Sequence, residues 1–282
     1  MLDQSTAGSE RYVDTDDPTP VAIRLVDPDD PEEADGQSST LPELGIVEQL
    51  VPKVITERDH DRNAFTQGLE FHEGRLFEST GAPGPFVNST TTVREVDPQT
   101  GDVLRVRDFG TEYFGEGLTI VDDRIIQLSW LAQRAQVFDL ETFETVDVFE
   151  YETQGWGLCF DGTELVMSDG SGFLFFRNPQ TFELLRTVEV LRNGIEVSRL
   201  NELECVGDQV WANVWQTTEI LRIDSATGTV TGAVDAAELS APHLANHREF
   251  VLNGIAYDAD ADTYLITGKN WRKMYEVTFE RS

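Results

Sequence analysis

The sequence predicts an all-β fold, a five-bladed β-propeller whose ring is closed by an N-terminal strand that completes the last blade. Three observations carry this expectation. A Gly-Leu-like pair opens an apolar strand five times at near-regular spacing. A tight turn follows the first four of those strands, and a second turn headed by Asp or Asn recurs later in each of the first four units. Self-similarity with a period of about 40–50 residues is the signature of a blade made of four antiparallel strands.

The five openings are Gly68-Leu69, Gly117-Leu118, Gly157-Leu158, Glu202-Leu203 and Gly254-Ile255, at spacings of 49, 40, 45 and 52 residues. The turns after the first four are Glu73-Gly74, Asp122-Asp123, Asp161-Gly162 and Gly207-Asp208, residue types that tolerate positive φ. The fifth has the longer Asp258-Ala259-Asp260-Ala261-Asp262. Second strands follow, as in Arg124 to Trp130 and Gln209 to Trp215. The later turns begin at Asp97, Asp139, Asn178 and Asp224, each between Val-, Leu- or Ile-rich runs. After Lys273-Met274-Tyr275-Glu276-Val277 the fifth unit has only three strands. The spare segment Leu50-Val51-Pro52-Lys53-Val54-Ile55-Thr56 is positioned to supply the fourth and to remove an exposed edge.

Residues 48–282 are therefore expected to form the propeller. Residues 1–47 are rich in Asp, Glu, Ser, Thr and Pro and read as an acidic, solvated extension that cannot bury enough apolar area to offset its ordering entropy. A single strand over residues 21–26 is the one element expected there.

The 282 residues carry 52 Asp+Glu against 21 Lys+Arg, a formal charge of −31. Such a field repels phosphate, so nucleic-acid binding is excluded. No apolar run approaches the ~20 residues of a membrane helix, and the start has neither the basic end nor the apolar stretch of a signal peptide, so a cytoplasmic location is expected unless a signal lies upstream. Only three basic residues are lysines, Lys53, Lys269 and Lys273. A carboxylate surplus running through the whole chain fits a halophile's surface, kept soluble where salt screens self-repulsion. Cys159 and Cys205 make no disulfide framework and read as small buried side chains. His243 and His247 stand four apart, but Leu244 occupies the place where the zinc motif of metalloproteases has Glu, so no metal site is expected.

The residue before each repeated pair falls at one mouth of the ring: Gln67, Glu116, Trp156, Asn201 and Asn253. The ends of the second strands add Trp130, Asp169, Trp215 and Lys269. Three of the five tryptophans thus meet two carboxylates and one of the three lysines, a small polar pocket with aromatic walls.

Phe65-Thr66-Gln67-Gly68-Leu69, Gly115-Glu116-Gly117-Leu118-Thr119, Gly155-Trp156-Gly157-Leu158, Leu200-Asn201-Glu202-Leu203-Glu204, Ala212-Asn213-Val214-Trp215 and Thr267-Gly268-Lys269-Asn270-Trp271 together resemble the glutaminyl-peptide cyclotransferases of plant and bacterial type. The resemblance runs from about residue 50 to the end. Ser129 stands where Thr is usual, Arg272 where Pro is common, and the acidic extension is unusual. The resemblance implies a five-bladed propeller that turns the N-terminal glutamine of a peptide or protein into pyroglutamate and releases ammonia. It implies a pocket of Phe65, Gln67, Phe114, Glu116, Trp130, Trp156, Asn201, Trp215 and Lys269. Glu116 would be the general acid/base. Lys269, Gln67 and Asn201 are the candidate donors to the oxyanion, and the aromatic residues would fold the substrate side chain for attack.

No step of that reaction requires a metal or cofactor, and a structural cation in the channel has no support in the sequence. A monomer is expected. Two other readings remain: a calcium-dependent propeller lactonase using Glu116, Asn201, Asn253 and Asp169, and a non-catalytic propeller that binds a peptide.

Overall fold

A computed structural model describes residues 46–82 and 89–282. The extension over residues 1–45 and the strand expected at 21–26 lie outside the described residues. Strand β1 (Glu48–Asp59) leads into three four-stranded antiparallel sheets. The first holds β2 (Thr66–His72), β3 (Arg75–Thr80), β4 (Thr92–Val96) and β5 (Val103–Asp108). The second holds β6 (Gly115–Val121), β7 (Arg124–Ser129), β8 (Arg134–Asp139) and β9 (Thr145–Glu150). The third holds β10 (Leu158–Phe160), β11 (Leu165–Met167), β12 (Phe173–Arg177) and β13 (Leu184–Glu189). A short hairpin, β14 (Leu191–Arg192) and β15 (Ile195–Glu196), precedes β16 (Leu200–Val206), β17 (Gln209–Val214), β18 (Glu219–Asp224) and β19 (Val230–Asp235). Helix α1 (Ala237–Leu244) then leads to β20 (Leu252–Asp258), β21 (Thr263–Gly268) and β22 (Lys273–Arg281). The last seven strands and β1 form one eight-stranded sheet in the order β16-β17-β18-β19-β1-β22-β21-β20.

Burial falls from the first to the last strand of each four-stranded sheet. All seven residues of β6 are buried, whereas β9 is almost wholly exposed. The first strands pack in cyclic order, β2 on β6, β6 on β10, β10 on β16, β16 on β20 and β20 on β2. Apolar side chains fill the spaces between sheets, such as Phe77, Leu118, Ile120 and Phe138 between the first and second.

The repeated glycines have a steric cause. A Cβ on Gly117 would stand 2.6 Å from the Leu158 nitrogen, and one on Gly157 would stand 2.0 Å from the Asn201 oxygen, so only glycine allows neighbouring first strands this close. Glu202 breaks the pattern because its carboxylate spans the centre, accepting from Leu69 N at 3.2 Å and Ile255 N at 2.9 Å. The tight turns carry positive φ, 50° at Glu73 and 74° at Gly74. The later turns are closed by their leading side chain: Asp97 Oδ1 accepts from Gln99 N at 2.7 Å and Asn178 Oδ1 from Gln180 N at 2.8 Å.

The spare N-terminal segment pairs as expected. β1 runs antiparallel to β22 from Leu50 opposite Arg281 to Asp59 opposite Lys273, and its first three residues also run parallel to β19. Behind this closure lies a buried polar cluster. His60 Nδ1 contacts Trp271 O at 3.0 Å and its Nε2 contacts Glu78 Oε1 at 2.9 Å. Thr66 donates to the same oxygen at 2.6 Å, and Arg94 Nε stands 3.0 Å from Glu78 Oε2.

One expectation is corrected. Cys159 on β10 and Cys205 on β16 are joined by a disulfide with Cα atoms 5.5 Å apart, a bridge across 46 residues. Each thiol alone looked like a small buried side chain. Packing of the two adjacent first strands brings them together. His243 is likewise spoken for: its ring stacks on Trp271 at 4.1 Å and its Nε2 contacts Tyr275 OH at 3.2 Å. His247 lies beyond the end of α1 and is exposed.

Candidate active site

The side chains that meet at the mouth are aimed there by local irregularities in the sheets. Pairing of each first strand with its second slips between Thr66 and Gly68, Gly115 and Leu118, Leu200 and Leu203, and Leu252 and Ile255. Gln67, Glu116, Asn201 and Asn253 fall on these bulges, where the extra residue turns a side chain out of the ordinary alternation. In the third sheet Trp156 and Gly157 precede β10 and do the same without a strand: Trp156 N donates to Ser168 O at 3.0 Å. At the ends of the second strands the chain reverses through left-handed residues, Gln216 (φ 62°) after Trp215 and Asn270 (φ 56°) after Lys269.

The result is a pocket of about 230 Å³. Gln67, Glu116, Asn201 and Lys269 form its polar floor, and Phe65, Phe114, Trp130, Trp156 and Trp215 line its walls. All nine site residues expected from the sequence therefore meet in one place. The aromatic wall has two halves. Phe65 meets Phe114 edge-on at 6.1 Å, Phe114 meets Trp130 at 5.6 Å, and Trp156 meets Trp215 at 5.5 Å. Gln154 Oε1 joins the two halves, accepting from Trp130 Nε1 at 2.7 Å and Trp156 Nε1 at 3.0 Å. Gly170 makes room for the wall, since a Cβ there would stand 2.7 Å from the Trp156 ring.

Two positions read as part of the mouth do other work. Asn253 lies behind the floor, where its Nδ2 donates to Thr66 O at 3.0 Å and Gln67 Oε1 at 3.2 Å, so it orients the Gln67 carboxamide. Asp169 caps its own turn, accepting from Ser171 N at 3.0 Å. Glu249, which follows α1, lines the pocket and was missed, because it stands in a loop with no counterpart in the other repeats.

Glu116 and Lys269 are both buried, yet neither charged group has a hydrogen-bond partner among the described residues. Burial pushes the Glu116 carboxyl well above the ordinary range, and Lys269 pulls it back only in part. Burial lowers Lys269 to about 8, against the opposing pull of Glu116 and Glu249. Lys269 Nζ also lies 5.0 Å from the centre of the Phe65 ring. The Asn201 side chain makes no hydrogen bond among the described residues, while its backbone oxygen accepts from Ser168 Oγ at 2.7 Å. The floor thus holds a high-pKa carboxyl, a low-pKa ammonium and two carboxamides open to a ligand, arranged for proton transfer beside a developing negative charge.

The family described as Glutamine cyclotransferase matches residues 33–279. A glutaminyl-peptide cyclotransferase of Arabidopsis thaliana is 40% identical over 234 residues, covering 82% of this chain and 72% of its own. The crystal structure of Myxococcus xanthus glutaminyl cyclase aligns with a TM-score of 0.78 at 35% identity, over 84% of this chain and 100% of the other. A match over most of the chain, in the fold as well as the sequence, agrees with the pocket at the mouth: the chain belongs to the glutamine cyclotransferase family.

Proposed function

We propose that this protein is a glutaminyl-peptide cyclotransferase in which Glu116 shuttles the proton. The observation that carries the reading is the floor of the pocket, a buried carboxyl of raised pKa set against an ammonium, neither of them hydrogen-bonded among the described residues. The side chain of an N-terminal glutamine enters between the aromatic walls, which exclude water and hold the chain folded. The neutral α-amine attacks its own side-chain carboxamide carbon. As the new C–N bond forms, the Glu116 carboxylate takes a proton from the amine. It then gives that proton to the amide nitrogen, the old C–N bond breaks, and ammonia and pyroglutamate result. Protons balance without any outside donor. Charge on the carbonyl oxygen is met by Lys269 and by the carboxamides of Gln67, held by Asn253, and Asn201. The calcium-lactonase reading would draw on Asp169 and Asn253 beside Glu116, but neither lines the pocket: Asp169 closes its own turn and Asn253 lies behind the floor.

The ring is read as five blades. Dividing the eight-stranded sheet at the short β1–β19 pairing leaves five four-stranded units, one per sequence repeat, with β1 completing the last. The same reading takes the protein as a monomer and its acidic surface as an adaptation to salt, for which a melting temperature that rises with molar KCl is the check. The Cys159–Cys205 disulfide favours maturation in an oxidising compartment over the cytoplasm.

The activity is tested by mass spectrometry of a short peptide beginning with Gln, incubated with the protein at high salt. Loss of one ammonia from the peptide is the expected result. An unchanged mass, with folding verified by circular dichroism, would reject the reading and leave peptide binding without turnover.

A further inference from the structure

A second depression, of about 240 Å³, adjoins the pocket. Glu249 lines both hollows, and Trp215 of the pocket wall continues directly into Gln216, Thr217 and Thr218 of the depression. Leu244, Arg248 and Val251 form its other side. The rim is fixed in advance: Thr217 Oγ1 donates to Val214 O at 2.8 Å and accepts from Glu219 N at 3.1 Å. A peptide whose first side chain fills the pocket, with its amine folded back on that side chain, must carry its second residue outward over the mouth. On the Glu249 side the wall opens into a ready-made hollow.

Glu249 gives that hollow a charge. Its side chain is 31% exposed and its one ion-pair partner among the described residues is Arg248, 90% exposed, at 3.3 Å. So exposed a pair holds little energy, which leaves the carboxylate available to a ligand. It already bears on the site, favouring the charged form of Lys269. We propose that this depression receives the second residue of the substrate peptide, and that Glu249 makes it favour a basic side chain and disfavour an acidic one. The assignment rests on the cyclase reading above.

The test compares kcat/KM for three peptides of equal length beginning Gln-Lys, Gln-Ala and Gln-Glu, in the wild type, Glu249→Gln and Glu249→Lys. Ratios between peptides within one protein cancel any general change in activity. The wild type is expected to rank Lys over Ala over Glu, each step about two- to fivefold, the scale of a partly exposed charge pair. Glu249→Gln should bring the three within about twofold, Glu249→Lys should reverse the order, and molar salt should compress the wild-type ratios. If the wild type does not discriminate, or Glu249→Gln lowers all three peptides in proportion, Glu249 acts only through Lys269 and the proposal fails alone. If no Gln peptide is turned over by any of the proteins, the cyclase reading fails with it.

Discussion

Two buried carboxylates of this protein, Glu78 behind the closure of the ring and Glu116 at its mouth, are alike in burial and opposite in state. Burial alone would raise both. At Glu78, Arg94, His60 and Thr66 overcome that penalty and hold the carboxyl at about 2. At Glu116 only Lys269 opposes it, and the carboxyl stays well above the ordinary range. Glu78 is thus a permanent anion fixed in a network that ties β3 and β4 to the loop after β1. Glu116 is left able to change charge. At these two positions the partners supplied decide between a fixed structural anion and a group left able to change charge.

The comparison can be strained from the structural side first. Glu78→Gln leaves Arg94 without its buried counter-charge and is expected to lower stability by about 3–5 kcal/mol at pH 7, measured by denaturant unfolding. Because the folded pKa of Glu78 lies below its unfolded value, its contribution is complete above about 4.5 and is lost as pH falls toward about 2. The gap between wild type and variant should therefore close over that window. A second joint gives a slightly smaller effect. Removing the disulfide as Cys159→Ala with Cys205→Ala should cost roughly 2–4 kcal/mol for a closed loop of this length, with cyclisation kept at temperatures where the variant is folded. The smallest effect sharpens the picture at the mouth. With Lys269 at about 8, kcat should decline above that pH as the ammonium loses its proton, and Lys269→Arg should move that decline upward at the expense of overall rate.

Sequence was informative where physics repeats. The close approach of first strands demands glycine at Gly68, Gly117 and Gly157, and a φ of 118° demands it at Gly254, so the period was written there, and the bulges placed Gln67, Glu116 and Asn201 one residue before the repeated pair. Asn253 shows the limit of that logic: an equivalent position holds a residue that supports the site from behind. What stood outside the period was illegible. Glu249 lies in the connection after α1 and Gln154 in the one before β10, both outside the repeated motifs. Cys159 and Cys205 carry no spacing signal, although both lie on first strands of consecutive repeats, which is the hint that could have paired them. The eight-residue helix α1, interrupted by Pro242, has no repeat to announce it either.

The most direct test sets the two carboxylates side by side: cyclisation of a peptide beginning with Gln, with Glu116→Gln and Glu78→Gln assayed at matched folded fractions. Glu116→Gln should lose about 10²–10⁴-fold in kcat, the reach of general acid/base catalysis, while melting within a few degrees of the wild type. Glu78→Gln should melt well below the wild type yet turn over at a comparable rate per folded molecule. A Glu116→Gln protein that keeps the wild-type rate, or a folded Glu78→Gln protein as inactive as it, would contradict the division between an acid held for structure and an acid left free for chemistry.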